Sequence, residues 1–286
     1  MSQEPTNRRR FLRRTAQIVV GGPTLLGCYV WRVEPHWVEV VHRELPIAGL
    51  PERLEGRTVA HLSDLHIGPI VDNDYLLSAL DRTLRLEPAA IFITGDWMTC
   101  HDDEQIGKTL NTMAQIKPHR IPIFSVLGNH DYGQGFRRTH VADALSEGLR
   151  KLGITVLRNQ VAQFEGLQIA GTDDLWSQQC RLQQTVSQLD PQQASIVLSH
   201  NPDTVDTRGW QDYRGWILAG HTHGGQCQAP GFGAPILPIR NRAYAAGEID
   251  LGDGRRLYVN RALGYKRRVR FLARPEITLF RLMRSV

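Results

Sequence analysis

Five short apolar runs in this chain end in the same way, and that repetition limits what the chain can fold into. TVAHLS (58–63) runs into Asp64-Leu65-His66, AAIFIT (89–94) into Gly95-Asp96, and IPIFSVL (121–127) into Gly128-Asn129-His130-Asp131. SIVLS (195–199) runs into His200, and GWILA (215–219) into Gly220-His221-Thr222-His223. Runs of this length, β-branched and without polar alternation, predict strands buried on both faces. Amphipathic stretches lie between most of them, and 72–86, opened by Asp72 as an N-cap, and 103–116 are the clearest helices. Further β-type segments at 167–171, 256–260 and 276–280 predict a second sheet. The fold class is therefore α/β, in which loops beyond the strand carboxyl ends share one rim.

That rim would gather Asp64, His66, Asp96, Asn129, His130, His200, His221 and His223. Singly, each signal is weak. A D-x-H triplet arises by chance, a histidine after a strand is more often a satisfied core residue, and Gly-Asp is commonly a turn. GNHD says more, because successive polar side chains at a strand end make a poor apolar core. Five such endings in order, each closing an apolar strand, point to a metal-binding rim.

The ordered set D-x-H, G-D, G-N-H-D, a lone His and G-H-x-H resembles the signature of the calcineurin-like metallophosphoesterases, over about residues 57–282. With GTDDLWSQQC (171–180), SHNPD (199–203), GHTHGGQ (220–226) and an arginine-rich leader, the chain is most similar to the bacterial phosphodiesterases of the YaeI/YkuE type. The protein serine/threonine phosphatases continue G-D with V-D-R-G, whereas here the continuation is GDWMTC. The resemblance implies a two-sheet β-sandwich flanked by helices, with the active site at strand carboxyl ends. It implies that Asp64, His66, Asp96 and His223 hold one divalent ion, and Asp96, Asn129, His200 and His221 a second, with Asp96 bridging. His221 and His223, alternate residues of an extended turn, would each serve a different ion. Gly220, Gly224 and Gly225 would let backbone and a phosphate approach closely. A mixed imidazole, carboxylate and amide set suits Mn²⁺, Fe²⁺ or Zn²⁺ better than Ca²⁺ or Mg²⁺. The implied reaction is hydrolysis of a phosphodiester or pyrophosphate bond by a hydroxide bridging the two ions, with no protein nucleophile. His130 would face the phosphoester substrate as general acid or transition-state stabiliser, and Asp131 would orient and charge its imidazole. Three other readings compete: a lipid-linked pyrophosphatase of the UDP-2,3-diacylglucosamine type, a non-catalytic scaffold of the same fold, and a mononuclear metal protein. A scaffold should have lost ligands, and none is lost here.

At 286 residues and 41% hydrophobic content, the chain predicts one catalytic domain, 57–286, after a leader, 1–31, and a connector, 32–56. The formal net charge of +5 arises mostly from five arginines against Glu4 in residues 1–14. The remainder is nearly balanced, so no nucleic-acid binding is expected. Arg8-Arg9-Arg10-Phe11-Leu12-Arg13 resembles a twin-arginine export signal, and the uncharged stretch 15–31 that follows is broken by Gly21, Gly22 and Pro23. This predicts export through the twin-arginine translocase to the periplasmic or cell-envelope side, the leader serving as a signal or a marginal anchor. LLGC, ending at Cys28, loosely resembles a lipoprotein box. The four cysteines show no spacing for a zinc site or a disulfide framework. Residues 255–274 hold eight basic residues and no acid. There Lys266, Arg267, Arg268 and Arg270 interleave with Leu263, Tyr265, Phe271 and Leu272, which predicts contact with a membrane surface or an anionic envelope polymer. A solvated basic loop is the alternative.

Overall fold

The computed structural model describes residues 21–99, 104–116 and 121–285, so the Arg8–Arg13 pattern and Cys100 lie outside the described residues. A short helix, α1 (Gly22–Cys28), is followed by β1 (Glu39–Ala48) and β2 (Thr58–Leu62). Helix α2 (Asn73–Arg85) then leads to β3 (Ala90–Thr94), α3 (Glu104–Gln115) to β4 (Ile123–Val126), and α4 (Thr139–Lys151) to β5 (Thr155–Val156). The second half comprises β6 (Gln160–Phe164), β7 (Leu167–Gly171), α5 (Leu182–Val186), β8 (Ser195–Leu198), β9 (Trp216–Ala219), β10 (Gly247–Asp250), β11 (Arg256–Val259) and β12 (Glu276–Ser285).

Two six-stranded sheets result, ordered β1-β12-β2-β3-β4-β5 and β10-β11-β9-β8-β7-β6. The central strands lack polar alternation because neither face meets water. In β3, Ala90 and Phe92 pack between the sheets against Ile169, Ile196 and Leu218, whereas Ile91 and Ile93 pack under the helices. Helix α2 begins where the Asp72 side chain accepts the Tyr75 amide at 3.0 Å, and it buries Leu76, Ala79 and Leu80. Helix α4 buries Val141, Ala142, Leu145 and Leu149 on the same side of the sheet. Strands β2 to β5 run parallel, as do β7, β8, β9 and β11. The ends of β2, β3, β4, β8 and β9 carry the sequence-predicted donors.

Three expectations change. The stretch 32–56, which reads as a connector, contains β1, in parallel register with the whole of β12. Its middle is exposed and only Leu45 and Ile47 are fully covered, so an edge strand presents no apolar run to detect. The segment 276–280 belongs to the first sheet, because β12 inserts antiparallel beside β2. β8 and β9 build the second sheet in its place. Half of the basic residues of 255–274 are paired with acids, Arg255 with Asp253, Arg256 with Glu248, Arg261 with Glu276 and Glu39, and Arg274 with Glu39, whereas Lys266, Arg267 and Arg268 make no ion pair among the described residues. Arg270 makes no surface contact. It is fully buried and donates to the carbonyls of Arg261, Ala262, Gly264 and Ala273. Leu263 and Tyr265 are buried with it, whereas Arg267, Val269 and Leu272 remain exposed. No described helix is long and apolar enough to cross a membrane. Helix α1 lies on the surface with Leu25 and Leu26 exposed, and the turn after it is tied to the body by the Arg270 amide donating to Val30.

Candidate metal centre

The donors sit on tight turns, not extended ones. Asp64, His66, Asp96, His221 and His223 all have positive φ, at 51°, 48°, 50°, 70° and 54°. Such backbone costs on the order of 1–3 kcal/mol per residue and clusters at functional sites. It is sustained here by bonds between the turns themselves. Asp64 N donates to Gly95 O and His66 N to Asp96 O, each at 3.0 Å, and His221 N donates to Asp64 Oδ2 at 2.9 Å. Gly220 admits protein, not phosphate: a Cβ there would lie 1.7 Å from Ser63 Oγ and 2.4 Å from Asp64 Oδ2. Gly128 likewise clears Asp96, whose Oδ1 would be 2.2 Å from an added Cβ.

Two buried groups form, Asp64 with His66 and His223, and Asp96 with His200 and His221. In the first, His66 Nε2 lies 3.1 Å from His223 Nε2, which is 3.3 Å from Asp64 Oδ1. In the second, His200 Nε2 lies 3.0 Å from His221 Nδ1, 3.2 Å from Asn129 Oδ1 and 3.4 Å from Asp96 Oδ2. Asp96 Oδ2 is also 3.5 Å from His66 Nε2, so it stands between the groups. His221 and His223 fall in different groups, as the resemblance implies, and all seven expected ligands converge.

Two divalent cations would account for these distances. His200 Nδ1 faces the Thr94 carbonyl at 2.8 Å and His221 Nε2 faces the Pro238 carbonyl at 2.9 Å. A carbonyl only accepts, so those nitrogens carry the protons and the opposite ones, 3.0 Å apart, present two bare lone pairs. Two lone pairs at that distance repel, so either a second proton on His200 or a cation between them must hold the pair. Asp64 Oδ1 and Asp96 Oδ2 are buried with no hydrogen-bond partner. Ligands held ~2.0–2.2 Å from a divalent ion stand roughly 3–3.5 Å apart, the spacing seen in both groups. Burial alone would lower the His200 pKa, yet Asp96 in contact, with Asp64 and Asp174 nearby, pushes it up to about 10. The site thus demands positive charge, and the residues fit two divalent ions.

Asp131, expected to orient and charge the His130 imidazole, makes no hydrogen bond to it. Neither ring nitrogen of His130 has a partner, and the ring stands edge-on between those of His66 and Phe136, each 5.0 Å away. Burial, with Lys266 and the neighbouring histidines adding to it, lowers the His130 pKa to about 4 against the pull of Asp96. Asp131 instead folds back on its own turn, accepting the amides of Gly128 at 2.8 Å and Met98 at 3.2 Å. Its carboxyl is fully buried, and burial with the Asp96 charge raises its pKa well above the carboxylate range. It therefore holds the Asn129-His130 turn in place and does not charge the imidazole. A supporting layer also escapes sequence reading. Ser63 Oγ donates to Asp64 Oδ2 at 2.5 Å, Thr99 Oγ1 lies 3.1 Å from His66 Nδ1, and Thr94 and Pro238 fix the tautomers of His200 and His221 through backbone carbonyls. Ser63 and Thr94 sit inside the motif strings, but Pro238 carries no signal. Trp176, 4.6 Å from His221 ring to ring, and Phe136 complete the mouth. Lys266, half-buried, is held beside the mouth by its amide donating to Gln226 Oε1 and by Gly264 N donating to Asp64 O. The exposed Arg267 and the half-buried Arg268, whose guanidinium lies 5.8 Å from the Trp31 ring centre, continue outward from it.

A family model described as calcineurin-like phosphoesterase matches residues 57–225, the span that carries every donor named above. The chain belongs to that family. Among its relatives, phosphodiesterase YaeI of Escherichia coli (strain K12) is 31% identical, over 97% of this chain and 99% of that protein. Metallophosphoesterase YkuE of Bacillus subtilis (strain 168) is 30% identical, over 96% of this chain and 97% of that one. The UDP-2,3-diacylglucosamine pyrophosphatase LpxG of Chlamydia trachomatis is 25% identical, over 93% and 95%. This calcineurin-like phosphoesterase is thus a phosphoester hydrolase with two His/Asp groups able to hold metal.

Proposed function

We propose that the protein is a binuclear metal-dependent phosphodiesterase acting on a phosphodiester or pyrophosphate bond. The observation that carries this reading is Asp96 Oδ2, unpartnered and within 3.4–3.5 Å of a histidine nitrogen from each group, as a shared ligand would be. Asp64, His66, Asp96 and His223 would hold one ion, and Asp96, Asn129, His200 and His221 the other. Bound as a pair, the ions supply Lewis-acid polarisation of the phosphoryl group and an ionised water as nucleophile. The chain's own residues do the rest. Thr94, Thr99 and Pro238 hold the imidazoles in one tautomer, Ser63 and the His221 amide orient Asp64, and the Asp131 turn presents His130. His130, with both nitrogens free, its pKa lowered and its ring at the mouth, is placed to stabilise the leaving oxygen by a hydrogen bond from its neutral N–H.

A lipid-linked nucleotide pyrophosphate is the second reading, favoured by the similarity to LpxG along nearly the whole chain. The arginine pattern at 8–13 and the exposed α1 support export by the twin-arginine translocase and residence on the envelope side, against a membrane. Full-length protein, stripped of metal and reloaded with Mn²⁺, should hydrolyse bis-p-nitrophenyl phosphate or a lipid-linked pyrophosphate faster than p-nitrophenyl phosphate. Preference for the monoester would overturn the diesterase reading.

A further inference from the structure

A cavity adjoins the metal centre. It has a volume of about 360 Å³ and is lined by Leu175, Trp176, Gln178, Asp203, Asp206, Thr207 and Arg240. That is within the range of small-molecule sites, at its lower end. Trp176 joins the two spaces. Its ring lies nearly perpendicular to that of His221 at 4.6 Å and tilted 6.0 Å from Phe136, and it is 37% exposed and lines the cavity. The far wall is also tied to the centre, because Pro238, whose carbonyl fixes His221, lies two residues before Arg240.

The lining chemistry selects the occupant. Asp203 is buried and accepts the amides of Arg240 at 2.7 Å and Asn241 at 3.2 Å, so its carboxylate is rigidly placed. Asp206 accepts from the Tyr244 hydroxyl at 2.8 Å and keeps an exposed edge. The Arg240 guanidinium is exposed and makes no hydrogen bond or ion pair among the described residues. An acyl chain laid here would strip water from the exposed Asp206 carboxylate and the Arg240 guanidinium and return nothing. A planar ring on the indole loses little, because stacking satisfies its faces and leaves its polar edges to water. A sugar diol can donate to Asp206, and the free guanidinium can donate to a second phosphoryl group.

We propose that this cavity is a nucleoside subsite, with the base stacked on Trp176, the ribose toward Asp206 and Arg240 on the adjoining phosphate. The substrate class is then a nucleoside phosphodiester or pyrophosphate. This rests on the phosphodiesterase reading above and narrows it.

Two probe pairs test it on the full-length, Mn²⁺-loaded protein. Thymidine 5′-(p-nitrophenyl phosphate) and methyl p-nitrophenyl phosphate release the same phenol, so their kcat/KM ratio reports the nucleoside alone. Thymidine 5′-monophosphate and methyl phosphate, compared by calorimetry, report it without turnover. Both ratios should favour the nucleoside by about 10- to 100-fold, collapse toward one in Trp176→Ala and largely survive in Trp176→Phe. Taking ratios within each variant cancels any general loss of activity or fold. Equal wild-type affinities, or a preference untouched by Trp176→Ala, would overturn the subsite. A calorimetric preference that depends on Trp176, with neither ester cleaved, would keep the subsite and overturn the phosphodiesterase reading.

Discussion

Changing Asp96 to Asn separates one shared metal ligand from two independent ones. The amide keeps the side chain's shape and leaves an oxygen to accept the His130 amide, now 2.9 Å from Oδ1. It also places an NH₂ where Oδ2 lies 3.5 Å from His66 and 3.4 Å from His200. Both groups lose an anionic donor at once and gain a group that cannot bind a cation. In the wild type, an ion present at about 100 times its Kd adds ~2.7 kcal/mol to stability, so two add ~5 kcal/mol. At roughly 2–4 °C per kcal/mol for a large domain, metal loading should raise Tm by about 10–20 °C. Asp96→Asn should gain only a few degrees. His223→Ala, which touches one group, should keep about half the wild-type gain. The assay is a thermal scan of stripped protein with and without Mn²⁺, paired with metal counts after gel filtration. Comparing loaded with stripped protein within each variant removes any cost of the substitution itself. Asp96→Asn carrying two ions per chain with the full Tm gain would refute the shared-ligand geometry.

Four further outcomes follow from the same structure. His130→Asn should retain both ions and lose about 10²–10⁴ in turnover, since its ring nitrogens support no other group; loss of metal alongside activity would make it structural. Arg158 donates to Asp173 at 2.9 Å, where the carboxylate is almost fully buried, and to the Tyr132 hydroxyl at 3.0 Å. Arg158→Leu should therefore cost about 3–5 kcal/mol in urea unfolding by stranding that charge, and a loss below ~1 kcal/mol would mean that water reaches it. Replacing Arg8, Arg9 and Arg10 with Lys should leave the protein on the cytoplasmic side, and fractionation showing the wild-type protein there would end the export proposal. Full-length protein should cosediment better with anionic than with neutral vesicles, in a salt-sensitive way, and Lys266, Arg267 and Arg268 changed to Ser should abolish the difference. Equal binding to both vesicle types would remove any electrostatic role for this loop.

By itself the sequence determined the strands that carry the chemistry and the eight polar side chains gathered at their ends, and the family resemblance marked seven of these as ligands. Both are local properties. An unbroken apolar run marks a strand covered on two faces, and parallel neighbours must deliver their carboxyl ends to one rim. The Asp72 cap of α2 was legible for the same reason, since it bonds a residue three positions on. What spans the chain was settled only by the tertiary structure. β1 is a strand because β12 lies beside it, and nothing within residues 39–48 announces that partner. Arg270 resembles its basic neighbours in sequence, but four inward carbonyls bury it. Asp131 follows His130 in every reading of the motif, yet a tight turn points its carboxylate at the backbone of Gly128 and Met98. The carbonyl that fixes His221 comes from Pro238, in a loop with no pattern of its own. Side-chain type and spacing name the candidate donors. Which nitrogen faces a cation depends on what the other nitrogen meets, and that contact exists only once distant segments have packed together.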